Sequence, residues 1–535
     1  PPNRRWGLPY MRAMWRDYLG FSASLQREFG DLVRMRLLSE RAIEVFDPEL
    51  LRQALVEHAD GMVRWARGPE VFAESSGQNV LVTEGAVWQR QRRLLMQAFT
   101  PRKVAGYAGL MAQATQAALQ ALPDTEPAPA VQTAVAGASI RQPVSDSTGA
   151  VLVDMDAFFS HLTMDVILRT LFGSGARTDP QAAAQAVQTL SEIGFKAMFW
   201  PASLPAWWPT PNNRRKRRAL AVLRRVIAQG MAAPTVADDS AVTAATRATV
   251  PLTAVTIAVT TAAATATAPA ASGSGQAEQG EGNLLAMLRA ARDEATGEGL
   301  DEQEVFDQCM ISFQAGHETT ATALLWWSAL MARHPEAAER ARAEVDAVMN
   351  ASNDASCGAA APGAASPAAG SPGAESSAAP GAARGELPGC SADNLPAPTP
   401  DQLARMPWLQ ATLKEAMRLY PPVSALMTRR ARRPLRLGEH EIPARTLVRL
   451  TPWVLHRDAR WFPEPERFRP ERFMPGAPEL PRGAYLPFGV GPRVCLGQHF
   501  ATLEMGLIAA MLLQRYELQL PPGAPADLPP GRLHI

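Results

Sequence analysis

The residues with the clearest capacity for chemistry are Phe488-Gly489-Val490-Gly491-Pro492-Arg493-Val494-Cys495-Leu496-Gly497. Four glycines or prolines in ten residues exclude a helix or regular strand and predict a tight loop. An apolar helical pattern follows at once, from Leu496 to Leu513. Cys495 is therefore expected at or near a helix N-terminus, where amides and the helix dipole favour a thiolate. A thiolate is the form that binds iron. Phe488 can shield the sulfur from water, and Gly489 helps to shape the loop. Gly491 and Gly497 would let backbone approach a flat macrocycle, and Arg493 suits an anionic substituent on it. The plain alternative is a glycine-rich loop that caps a core helix and buries a cysteine.

Three further groups could act with this loop. Ala315-Gly316-His317-Glu318-Thr319-Thr320 lies inside the longest helical pattern, where glycine and paired threonines are poor choices. A local kink or a packing notch would account for them equally well. Glu415 and Arg418 sit three apart on one helix face, ahead of Leu419-Tyr420-Pro421-Pro422. Trp88 and Arg92 share a helix face and are both donors suited to an anion, although Arg90 and Arg93 beside them also fit a solvated basic helix. His456 reads as a structural hydrogen bonder.

The elements that must position these groups are mostly helices. Helices are predicted at Trp88–Phe99, Phe158–Phe172, Glu304–Arg333, Glu336–Met349 and Trp408–Leu419. Strands are predicted at Leu32–Leu37, Ile43–Phe46 and Thr446–Thr451. The fold class is mainly α with small β-sheets. Segments 122–150, 231–281 and 351–399 are rich in Ala, Pro, Thr, Ser and Gly and read as mobile insertions in a single domain spanning 1–535.

The chain has 535 residues, 47% hydrophobic and 20% charged, ample for a large core. A net charge of +1 gives no footprint of a nucleic-acid binder. The basic run Arg214–Arg218 reads as a solvated helix face. Cys309, Cys357, Cys390 and Cys495 have neither zinc spacing nor the density of a disulfide scaffold, which suggests a reducing, cytoplasmic location. No stretch reads as a membrane span. The sequence starts Pro1-Pro2-Asn3, so an anchor or targeting segment upstream stays open.

The cysteine loop resembles the haem-binding signature of the cytochrome P450 family, Phe-x-x-Gly-x-Arg-x-Cys-x-Gly, at every specified position. The resemblance runs from about Phe21 to Leu520. It implies a single large helical domain enclosing haem b (iron protoporphyrin IX), with Cys495 as the iron ligand and Phe488, Gly489 and Arg493 around it. It implies haem contacts for Trp88 and Arg92. Glu318 and Thr319 correspond to an acid–alcohol pair that delivers protons for oxygen activation. Glu415 and Arg418 correspond to a structural Glu-x-x-Arg pair, completed by an arginine of a Pro-Glu-Arg-Phe motif. Two such motifs are present, and spacing favours Arg472 over Arg467.

The implied activity is a monooxygenase that takes O2 and an apolar small molecule. Electrons from NAD(P)H would come through a separate reductase or ferredoxin, since the chain shows no flavin or iron–sulfur motif. Arg429, Arg430, Arg432, Arg433 and Arg436 supply positive charge for an acidic partner. Residues 62–82, 195–209 and 423–428 fall where the family lines its substrate pocket, with Phe195, Phe199, Trp200, Trp207 and Trp208 among them. The family also continues through a last strand pair beyond the place where this sequence stops. A peroxide-using or isomerising haem-thiolate enzyme and a haem sensor without turnover are the competing readings; the Glu318-Thr319 pair argues against both.

Overall fold

The computed structural model describes residues 7–122, 152–173, 179–199, 207–232, 283–358, 396–425 and 428–521. The nine helices of thirteen residues or more among them are α1 (Gly85–Ala98), α2 (Ala108–Gln120), α3 (Met155–Phe172), α4 (Pro180–Phe199), α5 (Pro211–Ala232), α6 (Glu302–Arg333), α7 (Pro335–Gly358), α8 (Pro407–Leu419) and α9 (Gln498–Arg515). The predicted insertions lie largely outside the described residues. Where they overlap them, α5 runs to Ala232 and α7 to Gly358, so helix continues past the predicted breaks at 231 and 351.

Local sequence explains the ends of the long helix α6. Asp301 accepts from the Glu304 amide at 2.7 Å, and Glu304 returns a bond to the Asp301 amide at 3.1 Å, a capping box. His334-Pro335 stops the helix, and Pro335 begins α7. The middle of α6 is anchored on several sides. Val305, Cys309, Phe313, Leu324 and Trp327 join the largest apolar cluster with residues of α2, α3, α8 and α9. Trp327 Nε1 donates to Thr412 Oγ1 of α8 at 3.0 Å. Asp307 accepts from the Gln78 amide at 2.7 Å. Only glycine fits at Gly77: its φ is 72°, and a Cβ would meet the Asp307 carboxylate at 2.2 Å.

The strands are β1 (Leu32–Leu37), β2 (Glu40–Val45), β3 (Met62–Arg64), β4 (Arg429–Ala431), β5 (Leu435–Leu437), β6 (His440–Ile442) and β7 (Leu447–Leu450). Five of them form one sheet in the order β1-β2-β7-β4-β3, and β5 pairs with β6. The antiparallel register of β3 and β4 sets Arg64 directly opposite Arg429. No helix of the described residues is long and apolar enough to cross a membrane.

Candidate active site

The cysteine loop is closed by its own backbone. The Cys495 amide donates to Phe488 O at 2.9 Å, and the Val494 amide to Gly491 O at 3.0 Å. Gly489 and Gly491 have φ of 77° and 81°, which other residues rarely adopt. A Cβ on Gly491 would meet the Leu55 carbonyl at 2.3 Å. The close approach that requires glycine at 491 in this structure is that of the Leu55 backbone. At Gly497 a Cβ would meet nothing within 4 Å.

Cys495 has open surface, yet burial is the largest influence on its thiol and pushes its pKa up. Protein surrounds the residue while one side stays accessible. The Gly497 N–H and the Arg92 charge oppose the rise. The expectation that the helix N-terminus by itself favours a thiolate is therefore outweighed by desolvation; a bound metal would remove the proton outright.

Beside this loop, cationic groups outnumber anionic ones. Arg92 of α1 donates to Val494 O at 2.9 Å. Arg493 lies over the Trp88 ring, 4.0 Å from its centroid, and pairs with Glu84. Arg64 reaches the same carboxylate at 2.9 Å. Burial pushes Arg429 and Arg493 down to about 10; the Arg64 charge adds to the fall of both, and Arg429 to that of Arg493. Two guanidiniums thus pair with one carboxylate, and a third, Arg429, feels its charge without a bond to it. The partner-facing role considered for the Arg429–Arg436 run does not suit Arg429, which points into this cluster. Arg430 pairs with Glu40 and Arg433 with Asp60.

On α6, Gly316 is a packing notch: a Cβ there would meet Ile167 Cδ1 of α3 at 2.8 Å. An adjoining side of the same turn is less covered. Ala315 is exposed in mid-helix, although Phe313 and His317 are buried. Thr319, one turn on, donates to Ala315 O at 2.8 Å. Glu318 turns toward α4, where Ser191 donates to it at 2.6 Å. Burial raises the Glu318 pKa to about 7, with Asp156 and Glu192 adding to the rise. His317 is held neutral, its pKa lowered to about 4 by burial.

The Glu415–Arg418 pair is fully buried and bidentate, at 2.7 and 2.8 Å. Arg418 also donates to His456 O, Pro465 O and Arg467 O. Arg472 reaches Glu415 at 3.4 Å, whereas the Arg467 side chain turns away to Glu464. His456 accepts from the Leu486 amide at 2.8 Å and is kept neutral by burial, its pKa near 3. It ties this assembly to the segment leading into the cysteine loop.

The family model described as Cytochrome P450 matches residues 8–359 and 390–532. This chain belongs to the cytochrome P450 family. It is 28% identical to cyclooctat-9-en-7-ol 5-monooxygenase of Streptomyces melanosporofaciens, over 98% of this chain and 92% of that one. It is 29% identical to cyclooctatin synthase of the same organism, with the same coverage. Retinoic acid bound cyanobacterial CYP120A1 shares the fold, with a TM-score of 0.64 at 22% identity, covering 97% of this chain and 92% of that chain. The protein is a P450 oxidoreductase of the monooxygenase type, and haem iron is the cofactor of its family.

The residues of this P450 fit that cofactor. Among the described residues no group of three or more His, Cys, Asp or Glu could hold a bare metal ion. A lone accessible thiol suits a metal that brings its other ligands with it. The excess of guanidinium over carboxylate suits a dianion such as the two haem propionates. Arg64, Glu84 and Arg429 were missed as site residues in the P450 sequence, because their meeting depends on the β3–β4 pairing. Of the expected pocket aromatics, Trp207 and Trp208 are 71% and 49% exposed and pack on each other, while Trp200 lies outside the described residues.

Proposed function

We propose that this P450 holds haem b through Cys495 and hydroxylates an apolar, ring-bearing substrate, with electrons from NAD(P)H relayed by a separate reductase or ferredoxin. The chain acts as one haem-binding domain in this reading. The observation that carries it is the Arg64–Arg429–Arg493 cluster beside the accessible Cys495 sulfur. Haem, when bound, supplies the iron at which O2 is reduced and one oxygen atom is passed to carbon. The substrate class follows from the relatives, one of which is named for a cyclic alkenol. The unpaired Cys309 and Cys495 suit a cytoplasmic, reducing location.

The protein's own residues have distinct tasks. Trp88, Arg92, Arg493 and Arg429 bind and orient the propionates. Phe488 and Gly489 shape the loop that presents the sulfur. Glu415, Arg418 and Arg472 hold that loop's surroundings in register. Thr319 offers a hydroxyl on the open face of α6, and Glu318 is the proton source behind it. The two side chains bond to different neighbours, so transfer requires Glu318 to leave Ser191 or a water to bridge.

The haem-loaded protein should be supplied with NAD(P)H, a ferredoxin, its reductase, isotopically labelled O2 and a panel of cyclic terpenoid alcohols. One labelled oxygen atom per product molecule is expected. Product formed only with peroxide, or none with any substrate that shifts the iron spin state, would favour the competing readings instead.

Glu318 also sets a pH dependence. With a pKa of about 7 it is protonated below neutrality and can donate; above it, the proton is gone. Product formed per electron pair should fall as pH rises through about 7, and Glu318→Gln should flatten that fall. The same raised pKa favours the folded state at pH below the ordinary carboxyl value, and the contribution disappears as pH rises to about 7. A coupling profile that is identical in the two proteins would remove Glu318 from the relay.

A further inference from the structure

Helix α5 carries seven basic residues and no acidic one. Leu220, Leu223, Val226 and Ile227 bury one face of it in the largest apolar cluster. Arg214, Arg217, Arg218, Arg224 and Arg225 recur at helical spacing on the exposed face, along about 16 Å of helix. Arg215 and Lys216 find acids, Glu192 at 3.4 Å and Glu74 at 2.5 Å. No acid of the described residues pairs with the other five. Trp207 and Trp208 come just before the helix. Both are exposed, and their ring centroids are 5.4 Å apart. The turn that bears them is fastened to the start of α5: the Thr210 amide and the Asn213 side-chain amide donate to Trp208 O at 2.8 and 2.9 Å.

A row of unopposed cations calls for an extended anionic surface. An exposed indole pair calls for a surface that is apolar within and wet outside. An anionic bilayer meets both demands, with phosphates for the guanidiniums and the headgroup boundary for the indoles. We propose that the Trp207–Trp208 turn and the arginine face of α5 are a docking surface for an anionic phospholipid bilayer. The contact is peripheral, since no helix of the described residues is long and apolar enough to cross. The indoles favour a bilayer over nucleic acid. Stacking on bases needs free ring faces, and these two rings are turned onto each other at 47°. Apolar substrates gather in bilayers, so docking would bring the enzyme to their source. That consequence rests on the substrate class proposed above; the binding itself does not.

The haem-loaded full chain should be sedimented with vesicles of phosphatidylcholine alone and of phosphatidylcholine with about one-third phosphatidylglycerol. Binding is expected to the anionic vesicles only, and should weaken as salt rises from about 0.05 to about 0.5 M. Arg217→Gln together with Arg218→Gln should weaken it about thirtyfold. Trp207→Ser together with Trp208→Ser should weaken it at least about tenfold at the higher salt, where apolar contact carries more of the binding. Both variants change exposed side chains and should unfold at the wild-type temperature. Equal binding to the two kinds of vesicle, binding to neither, or wild-type binding by either variant would overturn the proposal. So would tighter binding to a single-stranded oligonucleotide that both variants lose, which would assign the surface to nucleic acid.

Discussion

Cys495→Ser should abolish the thiolate-type absorption band of the reduced, carbon monoxide-treated protein and lower turnover at least about a thousandfold, roughly 4 kcal/mol of activation free energy. The substitution is close to isosteric. The loop should survive it, because the bond from the residue 495 amide to Phe488 O does not involve the side chain. Serine keeps its proton where a thiol gives it up, so the strong electron donation of a thiolate is lost. On the proposed assignment Arg92, Arg493 and Arg429 would still bind the propionates, so haem content should fall much less than activity. A variant that kept the thiolate-type band would mean that the iron ligand lies elsewhere.

The second large effect is structural. Glu415→Ala leaves the Arg418 guanidinium fully buried without its counter-charge. It also removes the acceptor for Arg472 and for the Arg469 amide. Breaking a buried pair in this way costs about 3–5 kcal/mol, a large share of the stability of an ordinary domain. The expected outcome is protein that expresses poorly, takes up little haem and unfolds at a much lower temperature. Arg467→Ala is the matched control. Its side chain is 71% exposed and pairs only with Glu464, so about 0.5 kcal/mol or less is expected. Arg472→Ala should lie between the two. Equal thermal stability of Glu415→Ala and wild type would sink the assigned role.

The parts of this site that could be read from sequence are those set by short-range pattern. The glycine-rich loop, the apolar helix after it and the interruption at Gly316 are local, and each has a steric cause. Strand positions were less legible: Ile43–Phe46 was expected where β2 runs from Glu40 to Val45. Burial cannot be read from residue type alone. Arg429 resembles its neighbours Arg430 and Arg433, but only the strand pairing turns it toward Arg493. The backbone that requires glycine at 491 is Leu55, more than four hundred residues away in sequence, which no local pattern announces.

The facing arginines of β3 and β4 bear on how long the protein lasts. Like charges directly opposite on paired strands are unfavourable, and β3 is an edge strand with one neighbour. Glu84 relieves only part of that repulsion. A dianion bound at the cluster, as proposed above, would relieve more and so link cofactor binding thermodynamically to the closing of this sheet edge. Protein made faster than haem is supplied would carry a frustrated edge at Met62–Arg64, the natural starting point for local unfolding and proteolysis. Cofactor supply would thereby set the abundance of the enzyme as well as its activity.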